Sequence, residues 1–231
     1  MNPAFEVLRR VTTATITTML LKKGIRHCWM QGAMPLVPGG EQLVGPAFTL
    51  RFVPVREDLA TPESWGKPIS TRAAIEAMPA GCIAVADAMG VTTAGIFGDI
   101  LVMRMARRGV TALVTDGVIR DKAGCLKANL PVFCRGTAAP ASVNGLTFVG
   151  WEEPIACGGC AIFPGDVIVA DDDGAVVIPR ALVDWVASEG EEHERYETWV
   201  VSEVERGVAL PGLYPPNDEA KARYAAWKTS R

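Results

Sequence analysis

The chain has few of the features that mark several large classes of protein. Among its 231 residues, 23 are lysine or arginine and 26 are aspartate or glutamate, so its formal net charge is −3. It has no basic stripe with interleaved aromatic residues of the kind that binds nucleic acid. No apolar run approaches the roughly 20 residues that a membrane-spanning helix needs. We therefore expect neither a nucleic-acid partner nor a membrane partner.

Targeting and metal-cluster signals are also scarce. The first 24 residues lack a long apolar core followed by a small-residue cleavage site, which predicts a mature cytoplasmic protein. In such a protein the six cysteines are expected to be reduced core residues. Cys157-Gly-Gly-Cys160 has the spacing of a redox pair or of half a zinc site. With two histidines in the chain and no second C-x-x-C, ligands for a structural zinc site are lacking.

Hydrophobic residues make up 49% of the chain, enough for one sizeable core. Periodicity predicts a helix over 3–23, a strand over 43–55, a short helix over 69–78 and a β-hairpin over 167–178, VIVADDDGAVVI. From residue 180 the pattern becomes helical, and a last helix over 218–228 begins after Asn217. We predict a compact α/β domain over 1–180. Residues 181–231 would form a C-terminal helical extension that packs on this domain or on a neighbouring subunit.

The stretch 98–121, GDILVMRMARRGVTALVTDGVIRD, carries the strongest functional pattern. An amphipathic helix is predicted to start at Gly98-Asp99-Ile100-Leu101, where unpaired backbone N–H groups suit a carboxylate or phosphate. Residues 111–115 read as the next strand. If 82–86 is the preceding parallel strand, the residues after that next strand emerge at the sheet edge where the helix begins.

Arg120 and Asp121 follow that strand. The arginine offers a planar fork for a carboxylate, and the aspartate offers hard oxygen to Mg²⁺ or Mn²⁺. Together they predict a site for a small oxo-acid on a divalent cation. The alternative is a surface turn with an exposed ion pair.

Four segments together resemble the regulator of ribonuclease activity A (RraA) family, which includes the class II 4-hydroxy-4-methyl-2-oxoglutarate aldolases. They are the 98–121 stretch, PVFCRGTAAP at 131–140, CGG at 157–159 and PGDVIVADDDGAVVIP at 164–179. The resemblance implies a swivelling β/β/α fold, assembly as a homotrimer or homohexamer, and active sites between subunits.

In the aldolases of this family, the resemblance implies, the amides of the Gly-Asp-x-Leu helix start hold the pyruvate carboxylate. Those positions here are Gly98, Asp99, Ile100 and Leu101. The motif arginine, Arg120, would bind pyruvate, and the motif aspartate, Asp121, would anchor Mg²⁺ or Mn²⁺. The implied reaction is cleavage of a 4-hydroxy-2-oxo acid to pyruvate and a carbonyl product, with oxaloacetate decarboxylation at the same site.

One position departs from the family pattern. The aldolases continue Arg-Asp-x-x-Glu or Asp, whereas Gly124 occupies that place here. A carboxylate near the metal is then either missing or supplied by another segment. The base that deprotonates the 4-hydroxyl is also open, between Asp99 and a water on the metal.

Two other functions are compatible with parts of the sequence. A Schiff-base aldolase using Lys122 is disfavoured, because the adjacent Asp121 would raise the pKa of the lysine instead of lowering it. The other is a non-enzymatic regulator that binds ribonuclease E and inhibits RNA turnover, as the family name implies. Retention of Asp121 favours the carbon-carbon lyase.

Overall fold

The chain folds into a mixed α/β structure, described over residues 2–230 by a computed structural model. Within that range the helices are α1 (Pro3–Leu8), α2 (Thr13–Lys22), α3 (Thr71–Ala77), α4 (Asp99–Arg107), α5 (Lys122–Lys127), α6 (Val183–Glu205) and α7 (Asp218–Thr229). The strands are β1 (Met34–Pro35), β2 (Leu43–Pro54), β3 (Ile83–Asp87), β4 (Ala112–Thr115), β5 (Val132–Cys134), β6 (Leu146–Trp151), β7 (Val167–Asp171) and β8 (Gly174–Ile178). They form one sheet in the order β1-β5-β4-β3-β2-β7-β8, and β6 also pairs with β2.

The centre of the sheet is parallel and buried. Strand β3 pairs in parallel with β2 on one side and with β4 on the other, and β4 pairs in parallel with β5. Every residue of β3, β4 and β5 is buried, as expected for parallel strands that are covered on both faces. The predicted parallel pairing of 82–86 with 111–115 is therefore confirmed. It brings the carboxyl ends of these strands to one edge.

The prediction of a single helix over 3–23 is wrong, because the chain turns between α1 and α2. Thr12 ends the break by capping α2, since its hydroxyl accepts the Thr15 N–H at 3.2 Å. The Thr12 N–H and hydroxyl both donate to the Glu194 carboxylate of α6, at 2.9 and 2.8 Å. The threonines in this segment therefore favour a new helix start over a continuous helix.

The predicted hairpin over 167–178 is confirmed by the antiparallel pairing of β7 with β8. Two aspartates of its turn accept hydrogen bonds from other segments of the chain. Asp171 accepts hydrogen bonds from the N–H and the hydroxyl of Thr13 at 2.8 and 2.7 Å, and Asp172 accepts from the Gly39 N–H at 2.8 Å. These carboxylates fasten neighbouring segments to the turn.

The C-terminal helices pack on the rest of the chain through the first half of α6. Val183, Val186 and Ala187 join the main core, and a Cβ atom on Gly190 would lie 2.6 Å from Val11 Cγ1. The second half of α6 and α7 enclose a separate small core of Trp199, Val200, Leu213 and Ala220. Asn217 caps α7 as predicted, accepting the Ala220 N–H at 2.9 Å. None of the helices within 2–230 is long and apolar enough to cross a membrane.

Candidate active site

Three chain segments are joined at the carboxyl edge of the parallel strands. The loop before α4 runs beside the loop after β4, where the Ile96 N–H donates to the Val118 carbonyl and the Arg120 N–H donates to the Phe97 carbonyl, both at 2.9 Å. The Gly95 N–H donates to the Pro140 carbonyl at 2.9 Å. These bonds fix the start of α4 against the Arg120-Asp121 pair. The two halves of the 98–121 pattern therefore meet in space.

Two glycines make this close approach possible. A Cβ atom on Gly95 would lie 2.8 Å from the Cβ and the backbone nitrogen of Arg120. A Cβ atom on Gly98 would lie 2.7 Å from Asp121 Oδ2 and 3.3 Å from Arg120 Cγ. Gly95 is needed for space because its close contacts include backbone atoms, whereas a Cβ atom on Gly98 would displace the Asp121 carboxylate.

The Arg120-Asp121 pair is an adjacent-residue ion pair, with Arg120 Nε 3.0 Å from Asp121 Oδ2. The side chains are 36% and 46% exposed, so the pair by itself contributes little to stability. Asp121 nevertheless has the left-handed backbone conformation, with φ 54° and ψ 44°. A non-glycine residue in that region is uncommon, and such strain concentrates at functional sites. This backbone turns the chain from the loop after β4 into α5, of which Asp121 is the N-cap residue.

Hydrogen bonds from α5 hold the turn at Arg120 and Asp121. The Gly124 and Cys125 N–H groups donate to the Asp121 carbonyl at 2.9 and 3.0 Å, and the buried Cys125 thiol donates to the Arg120 carbonyl at 3.2 Å. Burial, and then the charges of Asp99 and Asp121, raise the pKa of Cys125 to about 11. The thiol therefore remains a protonated donor at neutral pH.

Asp99 places a second carboxylate beside the pair. Its Oδ1 accepts the Ile100 N–H at 2.8 Å. A Cβ atom on Gly124 would lie 2.5 Å from Asp99 Cβ and 2.8 Å from Asp99 Cγ. The space that a side chain at position 124 would need is thus filled by the Asp99 side chain. This carboxylate comes from α4.

All six residues predicted for the site line one cavity of about 280 Å³, namely Gly98, Asp99, Ile100, Leu101, Arg120 and Asp121. Lys122 is exposed and does not line it. Trp65, Arg72 and Ser142 also line the cavity, and sequence reasoning missed them. The sequence shows no motif at these three positions; Trp65 lies in the polar, Pro-bearing segment 56–68, which reads as a surface connection.

The donors available to an anion can be identified. The Ile100 N–H is bonded to Asp99, and the Leu101 N–H donates to the Gly98 carbonyl at 3.1 Å. Within residues 2–230, the Asp99 N–H and the two terminal nitrogens of Arg120 donate no hydrogen bond. An incoming carboxylate would meet these groups first. The assignment of carboxylate binding to the whole 98–101 backbone stays a prediction.

Asp116, predicted only as part of a turn, anchors the loops around this edge. Its buried carboxylate accepts N–H groups from Ala88, Gly90 and Gly158, at 2.8, 3.0 and 3.1 Å. Burial raises its pKa despite these bonds, which act in the opposite direction. The bond to Gly158 joins the CGG segment to this carboxylate. It ties the 157–159 turn to the end of β4.

The cysteines of the C-x-x-C segment are both buried and both free of disulfide bonds. Burial raises the pKa of Cys160 to about 12, and the nearby Cys28 thiol adds to the effect. The Cys157 thiol donates to the Ala86 carbonyl at 3.5 Å. The expectation of reduced core cysteines is confirmed for these positions.

Among the residues that the structure describes, no group of three or more His, Cys, Asp or Glu side chains is arranged to hold a metal ion. Zinc-like coordination entirely by protein side chains therefore does not fit. Mg²⁺ does fit, because it keeps several waters and binds to one or two carboxylates plus substrate oxygens. Asp121, whose Oδ1 forms no ion pair or hydrogen bond within 2–230, is the side chain that would hold it, and Asp99 lines the same cavity.

The chain is similar to several known proteins. The family model described as RraA-like, Aldolase/RraA, matches residues 13–177. A protein of Halalkalibacterium halodurans provisionally named 4-hydroxy-4-methyl-2-oxoglutarate aldolase is 40% identical over 141 residues, which are 61% of this chain and 61% of that protein. Protein DlpA of Legionella pneumophila is 31% identical over 141 residues, 61% of this chain and 22% of that protein. The match thus spans less than two thirds of either relative.

A solved structure covers more of the chain. The crystal structure of an unusual member of the RNase ES inhibitor RraA protein family from Streptomyces coelicolor aligns with a TM-score of 0.77 at 35% identity. It covers 86% of this chain and 96% of that chain. The predicted family and its mixed α/β fold are both confirmed. This chain belongs to the RraA-like family.

Proposed function

We propose that this protein cleaves a 4-hydroxy-2-oxo acid to pyruvate and a carbonyl product at this cavity, in a reaction that requires a divalent cation. The observation that carries the proposal is the meeting of Arg120, the strained Asp121 and the start of α4 in one cavity. The provisional name of the Halalkalibacterium halodurans relative supports the same chemistry. The proposed enzyme is a class II carbon-carbon lyase.

Arg120 would bind the acid end of the substrate. Its two terminal nitrogens offer a planar pair of donors, which permits two parallel charge-assisted hydrogen bonds to an oxo-acid carboxylate. The Asp99 N–H at the start of α4 would donate to the same carboxylate. The ion pair with Asp121 holds the Nε side of the guanidinium at 3.0 Å and so orients the fork.

Asp121 would hold Mg²⁺ or Mn²⁺, which when bound supplies Lewis-acid stabilisation of negative charge on the 2-oxo oxygen. The cleavage itself is a retro-aldol reaction. A base removes the 4-hydroxyl proton, the C3–C4 bond breaks, and its electron pair becomes the pyruvate enolate, which is protonated at C3. Loss of CO₂ from oxaloacetate gives the same enolate, so we propose decarboxylation at this site as a side activity.

Asp99 is the side chain we assign as the base. Its Oδ1 is held by the Ile100 N–H, while Oδ2 accepts no hydrogen bond within residues 2–230. Gly124 leaves room for this carboxylate beside the cavity.

Pyruvate release with a lactate dehydrogenase couple tests the proposal. With Mg²⁺ or Mn²⁺ we expect cleavage of 4-hydroxy-4-methyl-2-oxoglutarate that a chelator abolishes. Asp121→Asn should lower kcat/KM by roughly 100-fold or more, in the range of losing a charge-stabilising group. Asp184→Asn, which removes an exposed carboxylate on α6, is the matched control. Activity that survives both the chelator and Asp121→Asn would overturn the proposal.

A second candidate is favoured by the 35% identity to the RNase ES inhibitor family member. The chain would then bind a ribonuclease E-type enzyme and inhibit RNA turnover, with or without catalysis. Co-purification with the C-terminal region of such a ribonuclease tests it. Binding that is unchanged in Asp121→Asn would separate this role from the lyase site, and no binding at micromolar protein would exclude it.

A further inference from the structure

A second cation, besides Arg120, lines the candidate active site. Arg72 in the first turn of α3 borders the same cavity as Arg120 and Asp121. It also borders an adjacent groove of about 580 Å³ along α3 and α4, which Arg120 and Asp121 do not line. Arg72 therefore lies on the wall between the cavity and the outer groove.

The guanidinium of Arg72 is held by an aromatic ring. Its Cζ lies over the Trp65 ring, 4.8 Å from the ring centroid. Stacking of this kind fixes the plane of a guanidinium and leaves the N–H donors at its edge free. Trp65 lies in a short 3-10 helix, Pro62–Gly66, and lines both the cavity and the groove.

The charge of Arg72 is uncompensated, unlike that of neighbouring arginines. Arg104 is paired with Glu76 at 2.7 Å, and Arg108 reaches the same carboxylate at 3.4 Å. Within residues 2–230, Arg72 forms neither an ion pair nor a hydrogen bond. A positioned cation with free donors at the wall of a cavity is a recognition group for an anion.

We propose that Arg72 receives the second carboxylate of a dicarboxylic substrate and so determines specificity for the half that leaves as the carbonyl product. The inference rests on the proposed function, in which Arg120 binds the first carboxylate. It implies that the carbonyl product is itself an oxo-acid. Arg72 would act on substrate binding, and the cleavage step would remain with Arg120, Asp121 and Asp99.

The test compares two substrates that share the reactive half. These are 4-hydroxy-4-methyl-2-oxoglutarate, a dicarboxylate, and 4-hydroxy-2-oxopentanoate, a monocarboxylate. We expect Arg72→Gln to lower kcat/KM for the dicarboxylate by roughly 10- to 100-fold, mainly through KM, as for the loss of a charge-assisted hydrogen bond. The monocarboxylate should change less than about threefold. Arg72→Lys, which keeps the charge and loses the planar fork, should fall between.

Arg107→Gln is the matched control, because it removes an exposed cation of α4 that does not line the cavity. An equal loss on both substrates in Arg72→Gln, or no loss on either, overturns the inference. Binding gives a separate readout through the thermal shift caused by 2-oxoglutarate or 2-oxobutanoate. If neither 4-hydroxy acid releases pyruvate, the proposed function fails, whereas an Arg72-dependent preference for 2-oxoglutarate still supports the second anion site. Equal shifts by both acids in the wild type overturn it.

Discussion

Replacing Gly124 by alanine tests whether Asp99 needs the space that this glycine leaves. In an exposed helix, glycine to alanine stabilises by about 1 kcal/mol. Here the new Cβ would lie 2.5 Å from Asp99 Cβ, an atom fixed to the backbone of α4, so α4 and α5 must separate. Overpacking of this kind costs about 1–3 kcal/mol. We therefore expect no net stabilisation, and a roughly 10- to 100-fold fall in kcat/KM as Asp99 is displaced.

The assay is pyruvate release at saturating Mg²⁺, together with a urea unfolding midpoint. Gly40→Ala is the control, because a Cβ atom at that glycine meets nothing within 4 Å. A variant that is more stable and fully active would show that Asp99 does not depend on Gly124, and the reasoning would be refuted.

Three further predictions concern the frame around the site. Burial raises the pKa of Cys160 from 9.0 to about 12, so above pH 9 the thiol loses its proton in the unfolded chain but keeps it in the folded one. Stability then falls as the pH rises. The urea midpoint should therefore fall between pH 8 and pH 10, and should fall less in Cys160→Ala. Asp116→Asn should lower the free energy of unfolding by about 1–3 kcal/mol, because an amide cannot accept all three N–H groups; an unchanged midpoint would contradict this. Trp199→Ala should destabilise the α6–α7 unit by about 3–5 kcal/mol in hydrogen exchange or calorimetry, and protection equal to wild type would argue against that small core.

The parts of the fold that local pattern controls were predictable. The β-hairpin follows from two β-branched runs around an Asp-Gly turn, and the parallel pairing of β3 with β4 follows from two short apolar strands separated by an amphipathic helix. The meeting of Arg120 with the start of α4 follows from that topology alone. Chain connectivity therefore predicts the cavity that these residues share.

Contacts between distant segments were not predictable. Asp116 reads as half of a turn, yet one of its donors, Gly158, lies 42 residues away. At Gly124 the sequence shows only that a carboxylate is absent, whereas the space is filled by Asp99 from another helix. Arg72 and Trp65 carry no motif, since their place at the cavity depends on how α3 and the preceding loop pack. In each case the deciding partner belongs to a different part of the chain.

The break between α1 and α2 has a different cause. The apolar spacing over 3–23 is helical, but Thr12 offers its hydroxyl to a backbone N–H three residues on and its own N–H to Glu194. A side chain that competes for backbone hydrogen bonds overrides periodicity. The glutamate partner lies in α6 and could not be identified from local sequence.

Formation of the pyruvate enolate is the central claim, and proton exchange at the pyruvate methyl group measures it most directly. In D₂O with Mg²⁺, we expect the methyl proton NMR signal of pyruvate to disappear faster with the wild-type chain than in buffer alone. The exchange should stop with a chelator and in Asp121→Asn, and should persist in Asp184→Asn. Exchange no faster than in buffer, or exchange unaffected by loss of Asp121, would contradict an enolate site at Arg120 and Asp121.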